Sequence, residues 1–260
     1  MDLDLKDKVV LITGGASGIG AAIVRAVVGE GAVAVIADRC PELPGPMREE
    51  LRALGGTVHV IAGELTVVEN CKRAVDQTLD RFGRLDALVN NAGVNDRVGL
   101  ERGSPAEYVA SIQRNLLHYY NMAHYALPAL KESRGSVVNI ASKTAITGQG
   151  DTSGYASSKG AILALTREWA VELAPYGVRS NAIVPAEVMT PLYRSWLQTF
   201  PNPEEKMADI ISRIPLGKRM TTPDEIASMV TFLISGKASH ITGQHLFVDG
   251  GYVHLDRAVP

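Results

Sequence analysis

The chain has 260 residues, 46% of them hydrophobic and 21% charged, with a formal net charge of −2. That size and apolar content suit one sizeable core, and the near-neutral charge gives no electrostatic reason to expect nucleic acid or an anionic membrane as partner. No apolar run approaches the roughly 18–20 residues that span a bilayer. Cys40 and Cys71 are too few for a disulfide framework, so a reduced, cytoplasmic protein is the expectation.

The acidic opening "MDLDLKDKVV" passes at once into an apolar strand and does not read as a signal peptide. From there β-rich and helical runs alternate. Strands are expected over 8–13, 32–38, 57–63, 85–91, 136–142, 178–185 and 245–250, and helices over 18–29, 43–54, 67–83, 104–131, 153–174 and 222–235. Most strand runs are continuously apolar, the pattern of strands buried on both faces of a parallel sheet. The alternation predicts right-handed crossovers and an α/β fold: a doubly wound parallel sheet of seven strands, helices on both faces, in a single domain over 1–260. The Pro-rich stretch 186–219 separates the sixth strand from the last helix. So long an excursion predicts a substrate lid, with two ordinary surface helices as the plainer alternative.

"VVLITGGASGIG" leads from the first strand into the first helix through Gly14, Gly18 and Gly20, with Ser17 and Ile19 between them. Glycines there permit a tight turn and close backbone approach to a pyrophosphate, held by the positive end of the next helix. Asp38 ends the second strand, 18 residues beyond Gly20. A carboxylate at that point accepts from both ribose hydroxyls of adenosine and repels a 2′-phosphate, which points to NAD over NADP. Neighbouring Arg39 acts the other way, because a guanidinium can hold a phosphate.

"SGYASSKGAI" places Tyr155 four residues before Lys159, on one helix face and a turn apart. A phenol of ordinary pKa near 10 is a poor base at neutral pH. The Lys159 ammonium and an oxidised nicotinamide ring would both favour the phenolate, and a pKa of about 7–8 requires roughly 3–4 kcal/mol of such help. Tyr155 would then take a proton from a substrate hydroxyl while hydride leaves the same carbon. Ser142 sits at the C-terminal end of the fifth strand, at the sheet edge where parallel α/β folds bind ligands, and would hold the substrate oxygen.

"TGGASGIG" (13–20), "NNAG" (90–93), Asn115, Ser142 and Tyr155-x-x-x-Lys159 resemble, in order and spacing, the short-chain dehydrogenase/reductase family over essentially the whole chain. The resemblance implies a Rossmann fold and NAD-linked oxidoreduction. It also implies that Asn115 fixes a helical irregularity and a water leading to Lys159, and that Lys159 binds the nicotinamide ribose. Asn91, Ala92 and Gly93 would floor the adenosine, while Glu64 and Leu65 stand where the family usually has an aspartate touching adenine. Pro185, Val188 and Thr190 would hold the carboxamide of nicotinamide, with Ala186 in place of the usual glycine. A homotetramer is implied, paired through helices 104–131 and 153–174, where Leu116, Leu117, Tyr120, Leu165 and Trp169 recur at helical spacing and are expected to be exposed, the plainer alternative being that all face the sheet. The tail "YVHLDRAVP" is expected to approach a neighbouring subunit.

The stretches 114–128, 141–155 and 185–196 further resemble family members that act on sugars. That implies oxidation of an aldopyranose, such as L-fucose, at C1 to the lactone. Beside Ser142 and Tyr155, the candidate sugar contacts are Asn95 and Arg97 after "NNAG", Gln149 in the loop before Tyr155, and Glu187 at the lid opening. Trp196 or Tyr193 would supply an apolar wall. No Cys/His cluster has metal-ligand spacing. A 3-oxoacyl-carrier reductase or a dehydrogenase of apolar alcohols or steroids would use the same catalytic residues. A non-catalytic NAD-binding protein is the alternative of a different class.

Overall fold

A computed structural model describes residues 2–256. Residues 257–260 of the tail expected to reach a neighbour lie outside the described residues. Seven strands, β1 (Val9–Thr13), β2 (Val33–Asp38), β3 (Val58–Ala62), β4 (Ala87–Asn90), β5 (Ser136–Ile140), β6 (Arg179–Pro185) and β7 (His245–Val248), form one parallel sheet in the order β3-β2-β1-β4-β5-β6-β7. The chain winds outward from β1 to β3, crosses back to β4, and winds outward again to β7. A crevice therefore opens where the connections leaving the paired strands β1 and β4 diverge, at their C-terminal ends.

The helices are α1 (Gly18–Gly29), α2 (Gly45–Ala53), α3 (Val68–Phe82), α4 (Pro105–Ile112), α5 (His118–Ser133), α6 (Thr144–Thr147), α7 (Ser153–Leu173), α8 (Pro191–Leu197), α9 (Pro203–Ser212) and α10 (Pro223–Ile234). Alternate residues of each strand enter opposite cores. Val10 and Ile12 of β1 pack with Ile23, Val24 and Val27 of α1 and Ile226 and Val230 of α10. Val9 and Leu11 pack with Ala74 and Val75 of α3, Tyr119 and Met122 of α5, and Ile162 of α7. This double burial is why the strands read as unbroken apolar runs. Each such side chain contributes roughly 1.5–3 kcal/mol relative to exposure.

Two expectations change. The helix foreseen over 104–131 is broken: α4 begins with a Ser104/Glu107 capping box, and a π-helical turn at Gln113–Leu117 separates it from α5. Asn115 lies in that turn. Trp169, expected on an exposed helical face, is buried in the core with Leu163 and Val178, because α7 turns that face to the sheet. Leu117 and Tyr120 are exposed. Within 186–219, α8 and α9 start at N-caps Thr190 and Asn202, and α9 has no buried residue. Among the described residues no helix is long and apolar enough to cross a membrane.

Candidate active site

On the β1/β2 side the site is built largely from backbone. The chain leaves β1 through Gly14 and Gly18, both in the left-handed region with φ 67° and 56°. Gly20 is a close approach, since a Cβ there would lie 2.0 Å from the Gly14 carbonyl oxygen. Asn91 ties the turn to β4: its Nδ2 donates to the Thr13 and Gly14 carbonyls at 2.9 and 3.1 Å. The Thr13 hydroxyl in turn accepts from the Asn91 and Ala92 N–H groups. Ser17 stands at the N-cap of α1, but its hydroxyl makes no capping bond. The first N–H groups of α1 are thus without a side-chain cap, next to half-buried Ile19, an arrangement that suits a phosphate.

Asp38, buried at the end of β2, accepts from the Ala16 N–H at Oδ2 (3.1 Å) and from the Cys40 N–H at Oδ1 (3.0 Å). The carboxylate is fixed in place, and each oxygen keeps a lone pair with which it could take a ribose hydroxyl. Arg39 is exposed. Glu64 is exposed and bends back to the Thr66 N–H at 3.2 Å, while Leu65 is buried in the core. Pro185 closes β6 and Val188 is buried behind it. The Thr190 hydroxyl oxygen accepts from the Tyr193 N–H as the cap of α8, which leaves its proton to donate. Thr190 Cγ2 lies 3.4 Å from where a Gly18 Cβ would stand, so the segment after β6 arches over the glycine turn. Two left-handed glycines, an uncapped helix start and a fixed carboxylate fit a dinucleotide laid across the switch point.

At the centre, the Ser142 hydroxyl acts on the Tyr155 phenol, and it accepts from the Thr144 N–H and hydroxyl at 3.3 and 3.1 Å. Lys159 is buried, with Nζ 5.6 Å from the Tyr155 ring centroid, and donates to the Tyr119 hydroxyl (2.9 Å) and the Ile140 carbonyl (2.7 Å). Burial brings the Lys159 ammonium down to about 7. The Tyr155 phenol is raised: burial dominates, the Ser142 hydroxyl partly offsets it, and the nearby Asp96 charge adds to it. The expected fall of this phenol to about 7–8 is therefore not produced by the protein's own groups. Lys159 is committed to Tyr119 and Ile140, and desolvation outweighs the rest.

Asn115 Oδ1 accepts from the Val94 N–H at 2.7 Å and its Nδ2 donates to the Ser111 carbonyl at 3.1 Å, which ties the π turn to the loop after β4. Asn115 Oδ1 and Lys159 Nζ lie 3.1 and 3.6 Å from the point where a Gly93 Cβ would stand, so both border the same small space.

The β5/β6 side is built from side chains. Lys143 directly follows Ser142, and its N–H donates to the Pro185 carbonyl at 2.9 Å. Its ammonium pairs with Glu187 and sits 4.0 Å from the Tyr252 ring centroid. The Tyr193 hydroxyl donates to Glu187 Oε2 at 2.8 Å; burial and that carboxylate both push the Tyr193 phenol up. Tyr193 meets Trp196 edge-on at 5.0 Å, and the Arg97 guanidinium lies 5.5 Å from the Trp196 ring centroid. Asn95 Oδ1 accepts from the Arg97 N–H at 3.3 Å, holding Arg97 at φ 57°. The loop after β4 and α8 are thereby joined.

Ser142, Tyr155, Lys159 and Asn115 thus converge, with Glu187 on the neighbouring loop. Gln149 is exposed, between α6 and α7. Lys143, Tyr119, Asp96 and Tyr252 were not foreseen. A loop lysine reads as solvated, and only its adjacency to Ser142 hints otherwise.

The chain is similar to known dehydrogenases and reductases along nearly its whole length. A family model described as Enoyl-(Acyl carrier protein) reductase matches residues 14–253. A Bos taurus protein named L-fucose dehydrogenase is 40% identical over 245 residues, 94% of this chain and 88% of its own length. A 3-oxoacyl-(acyl-carrier-protein) reductase of Thermotoga maritima is 36% identical over 250 residues, 96% of this chain and 99% of its own. The crystal structure of Cj0485 dehydrogenase matches with a TM-score of 0.96 at 49% identity, covering 100% of this chain and 99% of that one.

Proposed function

The chain belongs to the short-chain dehydrogenase/reductase family, and from its site we propose an NAD-dependent dehydrogenase that oxidises an aldopyranose, L-fucose or a close relative, at C1 to the lactone. The observation that carries the oxidoreductase reading is buried Lys159, with Nζ 5.6 Å from the Tyr155 ring centroid, and Ser142 acting on that phenol at the C-terminal edge of the sheet. A carbinol hydroxyl entering there is held by Ser142 and gives its proton to Tyr155. Bound NAD would accept the hydride from the same carbon, and its positive ring would favour a phenolate that the protein alone disfavours. Lys159, with the ribose hydroxyls as partners, would lie close enough to pass the proton on beside Asn115. The sugar reading draws on Glu187, Lys143 and the Tyr193–Trp196 wall, and on the bovine relative.

Gly14, Ser17, Gly18, Ile19 and Gly20 would hold the pyrophosphate. Asp38 would take the adenosine ribose, with Asn91, Ala92 and Gly93 as floor and Pro185, Val188 and Thr190 at the carboxamide. The fixed Asp38 carboxylate supports NAD. Comparing kcat/KM for the two cofactors tests this; parity or an NADP preference overturns it. The reading includes a lid within 186–219 and a cytoplasmic homotetramer formed through α4, α5 and α7, where Leu117 and Tyr120 are exposed. A monomeric mass in solution would overturn the assembly.

The family description and the Thermotoga relative favour a second reading, reduction of a 3-oxoacyl carrier by the same Ser142, Tyr155 and Lys159. One screen separates the two: NADH formation at about pH 8–9, where a phenol base is favoured, over aldoses, secondary alcohols and hydroxyacyl thioesters, beside Tyr155→Phe. Turnover confined to aldoses and lost in the variant is expected. Turnover of thioesters alone would replace the sugar reading.

A further inference from the structure

We propose that Lys143 and Glu187 act together as a clamp on two neighbouring hydroxyls of the substrate and thereby select which polyol is oxidised; the inference rests on the sugar reading of this site. Three observations carry it. The first is position. Lys143 is the residue after Ser142, Glu187 is two residues after Pro185, and the Lys143 N–H bonded to the Pro185 carbonyl holds the two loops side by side. The pair is therefore anchored one residue from the serine that meets the reacting oxygen.

The second is burial. The Lys143 and Glu187 side chains are only 8% and 12% exposed, whereas pairs such as Lys72–Asp76 and Arg219–Glu225 are about half exposed or nearly so at 58%/49% and 54%/40%. Taking an ammonium and a carboxylate out of water gains little over two apolar side chains of the same volume. A buried pair at such a place is better explained by what it can bind.

The third is unused hydrogen-bonding capacity. An ammonium has three donors and a carboxylate about four acceptor positions. The bonds here are one between the two groups and one from the Tyr193 hydroxyl to Glu187 Oε2 at 2.8 Å, with the Tyr252 ring 4.0 Å from Lys143 Nζ. Adjacent hydroxyls on a pyranose each donate and accept. One can give its proton to Glu187 while its neighbour's oxygen accepts from Lys143, and the ion pair stays intact. Tyr193 does two tasks at once: its hydroxyl fixes the carboxylate, and its ring with Trp196 offers an apolar wall to the C–H face of the sugar.

A simple brace between the β5 and β6 loops would use the same two residues, so the test reads hydroxyl discrimination rather than activity alone. Lys143→Met with Glu187→Gln removes both charges together and leaves no buried charge unpaired. Wild-type enzyme, the double variant and Lys143→Arg are compared on L-fucose and on its single-deoxy analogues, with NADH affinity and Tm as controls. In wild type, loss of a clamped hydroxyl should lower kcat/KM by at least about 10²-fold, because a buried donor or acceptor is left unpaired. In the double variant, kcat/KM on L-fucose should fall by a similar factor, and removal of that hydroxyl should then cost less than about threefold. NADH affinity should stay within about twofold.

Lys143→Arg keeps the charge with less disturbance of the fold, and should reorder the sugar series at unchanged Tm. Deoxy discrimination that survives intact in both variants overturns the clamp, as does a loss of NADH affinity matching the loss on sugar. A wild-type enzyme that turns over thioesters or simple alcohols but no aldose overturns the sugar reading itself, and the clamp with it.

Discussion

The two walls of the crevice are made of different material. The β1/β2 wall is backbone: left-handed Gly14 and Gly18, the close approach at Gly20, and an Asp38 carboxylate held by two N–H groups. The β5/β6 wall is side chains from distant segments: Lys143, Glu187, Tyr193 and Trp196, with Arg97 reaching over from the loop after β4. Backbone geometry tolerates almost no substitution, so such a wall suits a ligand common to many reactions. Side-chain pairs can be exchanged without moving a strand, so such a wall suits the ligand that differs from one relative to the next.

The comparison is tested most severely at the seam. Tyr155→Phe removes the proposed proton acceptor and keeps the ring, so kcat should fall by about 10²–10⁴ while Tm and NADH affinity hold. A large loss of NADH affinity would mean that the phenol belongs to the cofactor wall instead. Next comes Gly20→Ala. A Cβ 2.0 Å from the Gly14 carbonyl oxygen forces α1 away from its turn. Overpacking of this kind costs about 1–3 kcal/mol, and NADH affinity should drop with it by at least about tenfold. A thermal melt and an NADH titration measure both; unchanged values would show that this turn is not the rigid part.

How much could be read in advance follows the same division. The seven strands and their parallel arrangement were legible because alternate residues such as Val10 and Leu11 enter different cores, which leaves a local apolar signature. The positions of Asp38 at the end of β2 and of Tyr155 and Lys159 a turn apart on α7 were legible from spacing along single elements. The π turn around Asn115 was not legible from residue pattern alone, because α4 and α5 carry one continuous helical periodicity through it. Lys143 and its pairing to Glu187, 44 residues away in sequence, leave no local signature at all. Trp169 was misplaced for a related reason: helical spacing shows that a face is apolar, not whether it meets the sheet or a partner.

Burial at the seam also makes stability depend on pH. Lys159 titrates near 7 in the folded protein against 10.5 as its ordinary value. Between those values the unfolded chain binds the proton and the folded chain does not, so this group's contribution to stability rises with pH from about 7 to 10.5 and is lost as pH falls back to 7. His118, buried beside Tyr119, is lowered to about 3 from 6.5 by burial and by the Lys159 charge, so its contribution is lost as pH falls from 6.5 toward 3. Tm measured without cofactor should therefore climb from pH 7 to pH 9, and Lys159→Met should flatten that climb. An equal climb in the variant would assign it to other groups.

The smallest expected effect probes the side-chain wall at its edge. Arg97 lies 5.5 Å over Trp196, is itself exposed, and is turned there by Asn95. An exposed cation–π contact contributes about 0.5–1 kcal/mol, so Arg97→Ala should raise KM for the sugar by about two- to fivefold with kcat and NADH affinity unchanged. Trp196→Leu should act in the same direction but more strongly, because it also removes the ring that packs on Tyr193 and Phe200. Combined, the two changes should cost less than the product of the separate effects, since each removes the same contact. Strict additivity would mean that Arg97 and Trp196 do not act on each other, and that the rim of this wall is held by some other contact.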